Sequence, residues 1–123
     1  MNVLTLALLL ASIVLSTAAQ LLLKVGMSPT RAAPAVAAGP LNALINAALS
    51  PWVVAGLAAY FASAVVWLLV LSKVDVSRAY PCVALGFALT VVAAHFLLGE
   101  PASLWRIIGV GVIMAGVTIV ALT

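Results

Sequence analysis

Apolar residues run through this chain in long, nearly unbroken stretches, without the strict alternation that marks a half-buried strand. Four stretches qualify as spans, at about residues 3–24, 52–72, 77–98 and 102–122. Each reaches the ~20 residues that a helix needs to cross a ~30 Å hydrocarbon core. Polar and turn-forming residues fall between them. Lys24 closes the first stretch, and Pro51 stands where the first turn of the second helix tolerates a missing N–H. Lys73 to Val76 separates the second and third, and Gly99 to Pro101 separates the third and fourth. Connections this short force neighbouring helices to run antiparallel. The pattern predicts an all-α integral membrane protein, a single four-helix transmembrane domain over residues 1–123.

The connection from Met27 to Ser50 is longer and less apolar. Its second half is patterned: Leu41, Leu44, Ile45, Ala48 and Leu49 recur at helical spacing, with Asn42 and Asn46 on the other side. This predicts a short interfacial helix at about 40–49, with its apolar stripe toward lipid or protein. An ordered loop, or an extension of the second transmembrane helix, would carry the same residues. Ser16-Thr17-Ala18 resembles a signal-peptide cleavage site. No Lys or Arg precedes the apolar run, however, and the run continues through Leu23. The first helix is therefore expected to be retained.

Composition sharpens this picture by exclusion. Hydrophobic residues make up 67% of the 123 positions and charged residues 6%. A soluble domain carries roughly 25% charge. Soluble enzymes, nucleic-acid binders and disordered chains are thereby excluded, and the net charge of +3 is too small for a nucleic-acid footprint. The single cysteine, Cys82, rules out an intramolecular disulfide and a cysteine-rich metal site. No cofactor or metal is expected, and no enzymatic activity. The five cations divide between the two membrane faces, Lys73 and Arg78 on one, Lys24, Arg31 and Arg106 on the other. That split gives no clear positive-inside bias.

Polar residues within spans are costly and tend to face a bundle interior or cavity. Ser12, Ser16, Gln20 and Lys24 are each four apart on the first helix, and Thr17 stands beside them. Together they form one slowly winding polar stripe. Serine and threonine can bond to a carbonyl one turn back, whereas Gln20 wants a partner on another helix. Lys24 either snorkels to the headgroups or places a cation at the mouth of a polar cavity. The third helix opens Asp75-Val76-Ser77-Arg78-Ala79-Tyr80-Pro81. Asp75 or Ser77 can cap it, and Pro81 predicts a kink or loosened turn near Ser77 and Arg78. Arg78 and Tyr80 line a site entrance, or Tyr80 is an aromatic anchor at the interface. His95 reads as a hydrogen-bonded or interfacial histidine rather than a proton relay. Glu100 and Pro101 suit the start of the fourth helix. On that helix Gly109, Gly111 and Gly116 would let a neighbouring backbone come close, either within the chain or across a dimer.

No Asp or Glu lies in the middle of any span. A proton-driven cation exporter would be expected to keep a membrane-embedded carboxylate. Cations and amides suit an anionic ligand instead.

These residues resemble the small four-helix branch of the drug/metabolite transporter superfamily. The resemblance covers nearly the whole chain. Its most specific parts are Ala19-Gln20-Leu21-Leu22-Leu23-Lys24, Trp67-Leu68-Leu69-Val70-Leu71, Val76-Ser77-Arg78-Ala79-Tyr80-Pro81 and Leu98-Gly99-Glu100-Pro101. The small multidrug resistance exporters share the layout but carry an essential glutamate where this chain has Ser16, and a tryptophan where it has Val83. The Gln-x-x-x-Lys and Ala-Tyr-Pro elements are more similar to the subunits of the aminoarabinose-phosphoundecaprenol flippase.

That resemblance implies a multi-pass protein of the bacterial inner membrane that moves a polyprenyl-phosphate-linked monosaccharide. It implies a dimer, homodimeric and possible in antiparallel form, or heterodimeric with a paralogue. In this reading the sugar sits against Ser16, Thr17, Gln20 and Tyr80, and Lys24 and Arg78 hold the phosphate. Lys73, in a tight turn, is expected to lie outside the site. The rivals are a small multidrug resistance-type exporter of small cations or metabolites, and a non-transporting membrane scaffold subunit.

Overall fold

A computed structural model describes residues 2–123, with the side chains of residues 29–32 left out of the description. Arg31, assigned above to one membrane face, therefore has a side chain outside the described residues. Among the described residues seven helices follow one another: α1 (Val3–Gly26), α2 (Pro29–Ala37), α3 (Pro40–Leu49), α4 (Pro51–Leu71), α5 (Val76–Cys82), α6 (Ala84–Leu98) and α7 (Leu104–Leu122). Four spans among the described residues are long and apolar enough to cross a membrane: α1, α4, α5 with α6 as one span from Val76 to Leu98, and α7. The chain is a multi-pass membrane protein.

Local chemistry sets the helix ends. The Asn2 side chain accepts from the Thr5 N–H at 2.8 Å and caps α1. Prolines 29, 40 and 51 stand at the first turns of α2, α3 and α4. Gly99, in the left-handed region at φ 69°, ends α6. The predicted interfacial helix is α3. The helix before it, α2, was not anticipated, because Pro34 interrupts the periodic reading of a segment that nonetheless closes into helical turns.

Two expectations about helix ends are corrected. The fourth span starts at Leu104, not about residue 102, and its cap is Ser103, whose hydroxyl accepts from the Arg106 N–H at 3.2 Å. A serine at that position satisfies an orphan N–H directly, which Glu100 is too far upstream to do. The irregularity in the third span lies at Val83, beyond Ser77 and Arg78. Pro81 offers no N–H, and the ladder tightens there into three-residue bonds, Val83 N–H to the Tyr80 carbonyl at 3.0 Å and Gly86 N–H to the Val83 carbonyl at 2.8 Å. Asp75 is the N-cap residue of α5, but its side chain makes no capping bond.

The antiparallel pair α1 and α4 is the centre of the bundle, with α6 packed on α1 and α7 on α5 and α6. Two glycines allow the α1–α4 approach. A Cβ on Gly56 would stand 2.9 Å from Leu23 Cγ and 3.1 Å from the Ala19 carbonyl oxygen. A Cβ on Gly26 would stand 2.5 Å from a Val53 methyl. Toward the other end, Leu9, Ile13, Val70, Ala79 and Cys82 form the buried core, against which Trp67 and Leu85 pack. The outer faces are apolar and exposed, as expected where lipid is the solvent. Among the described residues of α7, Val117 alone is buried.

Candidate functional site

The polar stripe of α1 divides into residues that hold the bundle together and residues that line space. Ser12 is buried against α4. Its hydroxyl donates to the Ser63 carbonyl at 3.2 Å, and the Ser63 hydroxyl donates to the Ser12 carbonyl at 3.2 Å. Ser16 instead satisfies itself on the Ile13 carbonyl at 3.0 Å. Thr17 is 5% exposed, and its hydroxyl has no hydrogen-bond partner. In a medium without water, an unmet hydroxyl carries the full cost of desolvation.

Thr17 is one of the residues that line a cavity of about 430 Å³ between α1, α4 and the third span, although its hydroxyl oxygen is itself buried. Ser16, Thr17 and Gln20 supply one wall, Tyr60 another, and Val83, Gly86, Phe87 and Thr90 the third. Gly86 leaves the wall open: a Cβ there would reach to 3.7 Å from Thr17 Oγ1. The Thr90 hydroxyl donates to the Gly86 carbonyl at 2.6 Å, so its oxygen remains available to accept. A second cavity, of about 220 Å³, shares Ser16, Tyr60 and Val83 with the first and continues past Ser12 and Ser63 to Trp67 and Tyr80. Tyr80 meets Trp67 edge-on, with ring centroids 6.5 Å apart. The two cavities adjoin at Ser16, Tyr60 and Val83 and form one track along the bundle, with hydroxyls and one amide set among apolar side chains.

Tyr60, Ser63 and Thr90 belong to this track and were missed in the sequence. A signal existed: Tyr60 and Ser63 are polar residues three apart within a span, the spacing of one helix face.

The cations occupy the two ends. Gly86 lies beside Ile13 and Thr17 of the parallel helix α1. Counting from that level at ~1.5 Å per residue, Arg78 and Lys24 are about 25 Å apart along the bundle. One phosphate cannot touch both within one chain. Lys24 is exposed at the end of α1. Arg78 is half-buried and borders a cavity of about 510 Å³ together with Lys73, Asp75, Ser77 and Thr123. Lys73, expected to lie outside the site, thus borders the same cavity as Arg78.

At the opposite end, His95 Nδ1 donates to the Glu100 carbonyl at 2.9 Å, and Arg106 donates to the Pro101 carbonyl at 2.6 Å. Both side chains clamp the α6–α7 turn. Gly109, Gly111 and Gly116 face open space: a Cβ on any of them would meet nothing within 4 Å.

No family model matches the chain, and no solved structure matches it. Curated relatives do. A protein of Yersinia enterocolitica described as the probable 4-amino-4-deoxy-L-arabinose-phosphoundecaprenol flippase subunit ArnF is 34% identical over 116 residues, covering 90% of this chain and 88% of the relative. The probable ArnE subunit of the same flippase from Pseudomonas aeruginosa is 40% identical over 70 residues, or 57% of this chain and 61% of the relative. The match thus spans less than two thirds of that relative's length. The protein y4nH of Sinorhizobium fredii is 34% identical over 83 residues, covering 67% of this chain and 71% of its own. With the four-span bundle, the Gln20-to-Lys24 and Ala79-Tyr80-Pro81 elements and a 34% identity that extends over nine tenths of its length, this chain belongs to the family of aminoarabinose-phosphoundecaprenol flippase subunits.

Proposed function

We propose that this protein is a flippase subunit that carries a polyprenyl-phosphate-linked monosaccharide across the bacterial inner membrane. The observation that carries the reading is a cavity lined by Ser16, Thr17, Gln20, Tyr60 and Thr90, with the buried Thr17 hydroxyl left without a partner at its edge. A sugar is a ring of hydroxyls, and each hydroxyl both donates and accepts. Ser16, Thr17, Gln20, Tyr60 and Thr90 offer such groups, and Tyr60 and Phe87 offer aromatic faces for the ring's C–H surface. Tyr80 extends the same surface toward Arg78 through the second cavity. The role is transport, not catalysis.

Gln20, Tyr60 and Phe87 are exposed on one protomer. The track is therefore a groove that lipid or a second subunit completes. A dimer through the open glycine face of α7 supplies that second subunit, as two like chains or as a pair of paralogues. In an antiparallel pair, Lys24 of one copy shares a membrane face with the partner's Arg78, so both ends of the track acquire the same pair of cations. In a parallel pair, Arg78 and Lys24 act as successive stations for the phosphate, one at each face. The polyprenyl tail stays in the bilayer throughout.

The test is reconstitution into liposomes with a fluorescent polyprenyl-phosphate sugar, followed by an impermeant reagent that modifies only outer-leaflet sugar. Flipping that requires the protein and slows in Thr17→Val supports the reading. Protein that moves no lipid-linked sugar, alone or with a paralogue, overturns it in favour of a scaffold, and proton-coupled efflux of quaternary ammonium compounds overturns it in favour of an exporter.

A further inference from the structure

The largest of these cavities, about 510 Å³, is not part of the sugar track. It lies at one end of the bundle, where α4 ends, α5 begins and α7 ends. Three charged side chains border it: the Lys73 ammonium, the Arg78 guanidinium and the Asp75 carboxylate. Lys73 and Asp75 are exposed, and Arg78 is half-buried. Ser77 adds a hydroxyl. Asp75 is one of only two carboxylate side chains in the sequence, and it spends nothing on the helix it precedes, because it makes no capping bond.

A site for a simple anion gains nothing from a carboxylate on the same wall as its cations, which repels the ligand. The arrangement suits a ligand with both signs of charge. The geometry points to a recognition site for a zwitterion, a phosphodiester joined within a few bonds to a primary ammonium. The phosphate is held by Arg78 as a planar fork and by Lys73 as a mobile point charge, and the ammonium donates to Asp75. The volume falls within the range of small-molecule sites. This assignment rests on the proposed flippase role, in which the relatives are named for an amino sugar linked by phosphate to a polyprenol. The cavity is then the place where the headgroup is selected at one membrane face before it enters the track. An ethanolamine phospholipid presents the same pair of groups.

The experiment measures binding to the purified full chain in phosphatidylcholine nanodiscs, whose quaternary ammonium donates no hydrogen bond. Three probes are compared by native mass spectrometry: a polyprenyl-phosphate-linked 4-amino-4-deoxypentose, its N-acetylated form, and short-chain phosphatidylethanolamine. The free amine should bind about tenfold more tightly than the N-acetyl form, the scale of one hydrogen bond between charged groups. Asp75→Asn should erase that preference and leave N-acetyl binding unchanged. Lys73→Ala and Arg78→Ala should each weaken both sugar lipids about tenfold. Phosphatidylethanolamine that binds as tightly as the amino sugar, with the same dependence on Asp75, supports the site and assigns it to a structural lipid. An amine preference that survives Asp75→Asn, or normal binding by Lys73→Ala, overturns it. Retained helicity and elution volume show that these substitutions have not unfolded the chain. Flipping with no Asp75-dependent preference refutes the site and leaves the transport role standing. The preference without flipping does the reverse.

Discussion

Ser12 and Ser63 exchange hydrogen bonds across the α1–α4 interface, each hydroxyl donating to the other's carbonyl at 3.2 Å. The pair joins two spans in a medium where no water can replace either bond. Both serines also border the smaller cavity.

Replacing either serine with alanine should destabilise the bundle by about 0.6–1.7 kcal/mol, the range for interhelical hydrogen bonds in membranes. The two substitutions together should cost less than their sum, since both bonds depend on the same approach of backbones. Equilibrium unfolding in mixed micelles measures the coupling. Strict additivity would mean that the bonds act independently.

Glycines on the two sides of the bundle should respond differently. Gly56→Ala drives a methyl toward the Ala19 carbonyl and Leu23, and should cost about 1–3 kcal/mol. A Cβ added at Gly109 or Gly116 meets nothing within 4 Å, so Gly109→Leu and Gly116→Leu should leave protomer stability nearly unchanged while dimer yield in lipid falls. Crosslinking yield and unfolding free energy separate the two effects. Unchanged dimerisation removes α7 from the interface.

Thr17→Val is expected to act in opposite directions on stability and transport. Valine keeps the shape and removes a buried hydroxyl that has no partner. Stability should rise by about 1 kcal/mol. Flipping should slow about tenfold, the effect of one lost hydrogen bond to the sugar. A variant as active as the parent would show that Thr17 does not touch the ligand.

Lys24→Ala and Arg78→Ala should each reduce transport without altering expression or helicity, because both side chains lie at bundle ends outside the core. Arg78→Lys should restore part of the rate, since the charge returns without the fork. Initial flipping rates in liposomes decide this, and normal rates in both alanine variants would remove the cations from the mechanism.

Transport should survive collapse of the proton gradient. Neither Asp75 nor Glu100 lies within the interior of a span. Ser16→Glu, which restores the carboxylate position of the drug exporters, should impair flipping, because a buried charge without a partner is costly. Loss of native turnover on adding a protonophore would redirect attention to His95 and Glu100, which meet at the α6–α7 turn.

What the sequence determined by itself was everything that depends on one helix at a time. The number and order of spans follow from the length of apolar runs against the thickness of a bilayer. The helix at Pro40–Leu49 follows from the spacing of Leu41, Leu44, Ile45 and Leu49. The polar stripe on α1 was also legible, because residues four apart share a face. Tertiary structure decided which stripe residues meet another helix and which meet space. Ser12 and Thr17 are both small hydroxyls on α1, yet one is bonded across the interface and the other is left unpaired beside a cavity. The glycines divide in the same way: Gly26 and Gly56 admit a neighbour, whereas Gly109, Gly111 and Gly116 face outward. That Lys73 and Arg78 border one cavity needed the bundle as well. Within a bilayer nearly every face is apolar, so hydrophobicity separates membrane from water but does not separate lipid-facing from helix-facing sides. Only the packed helices make that second distinction.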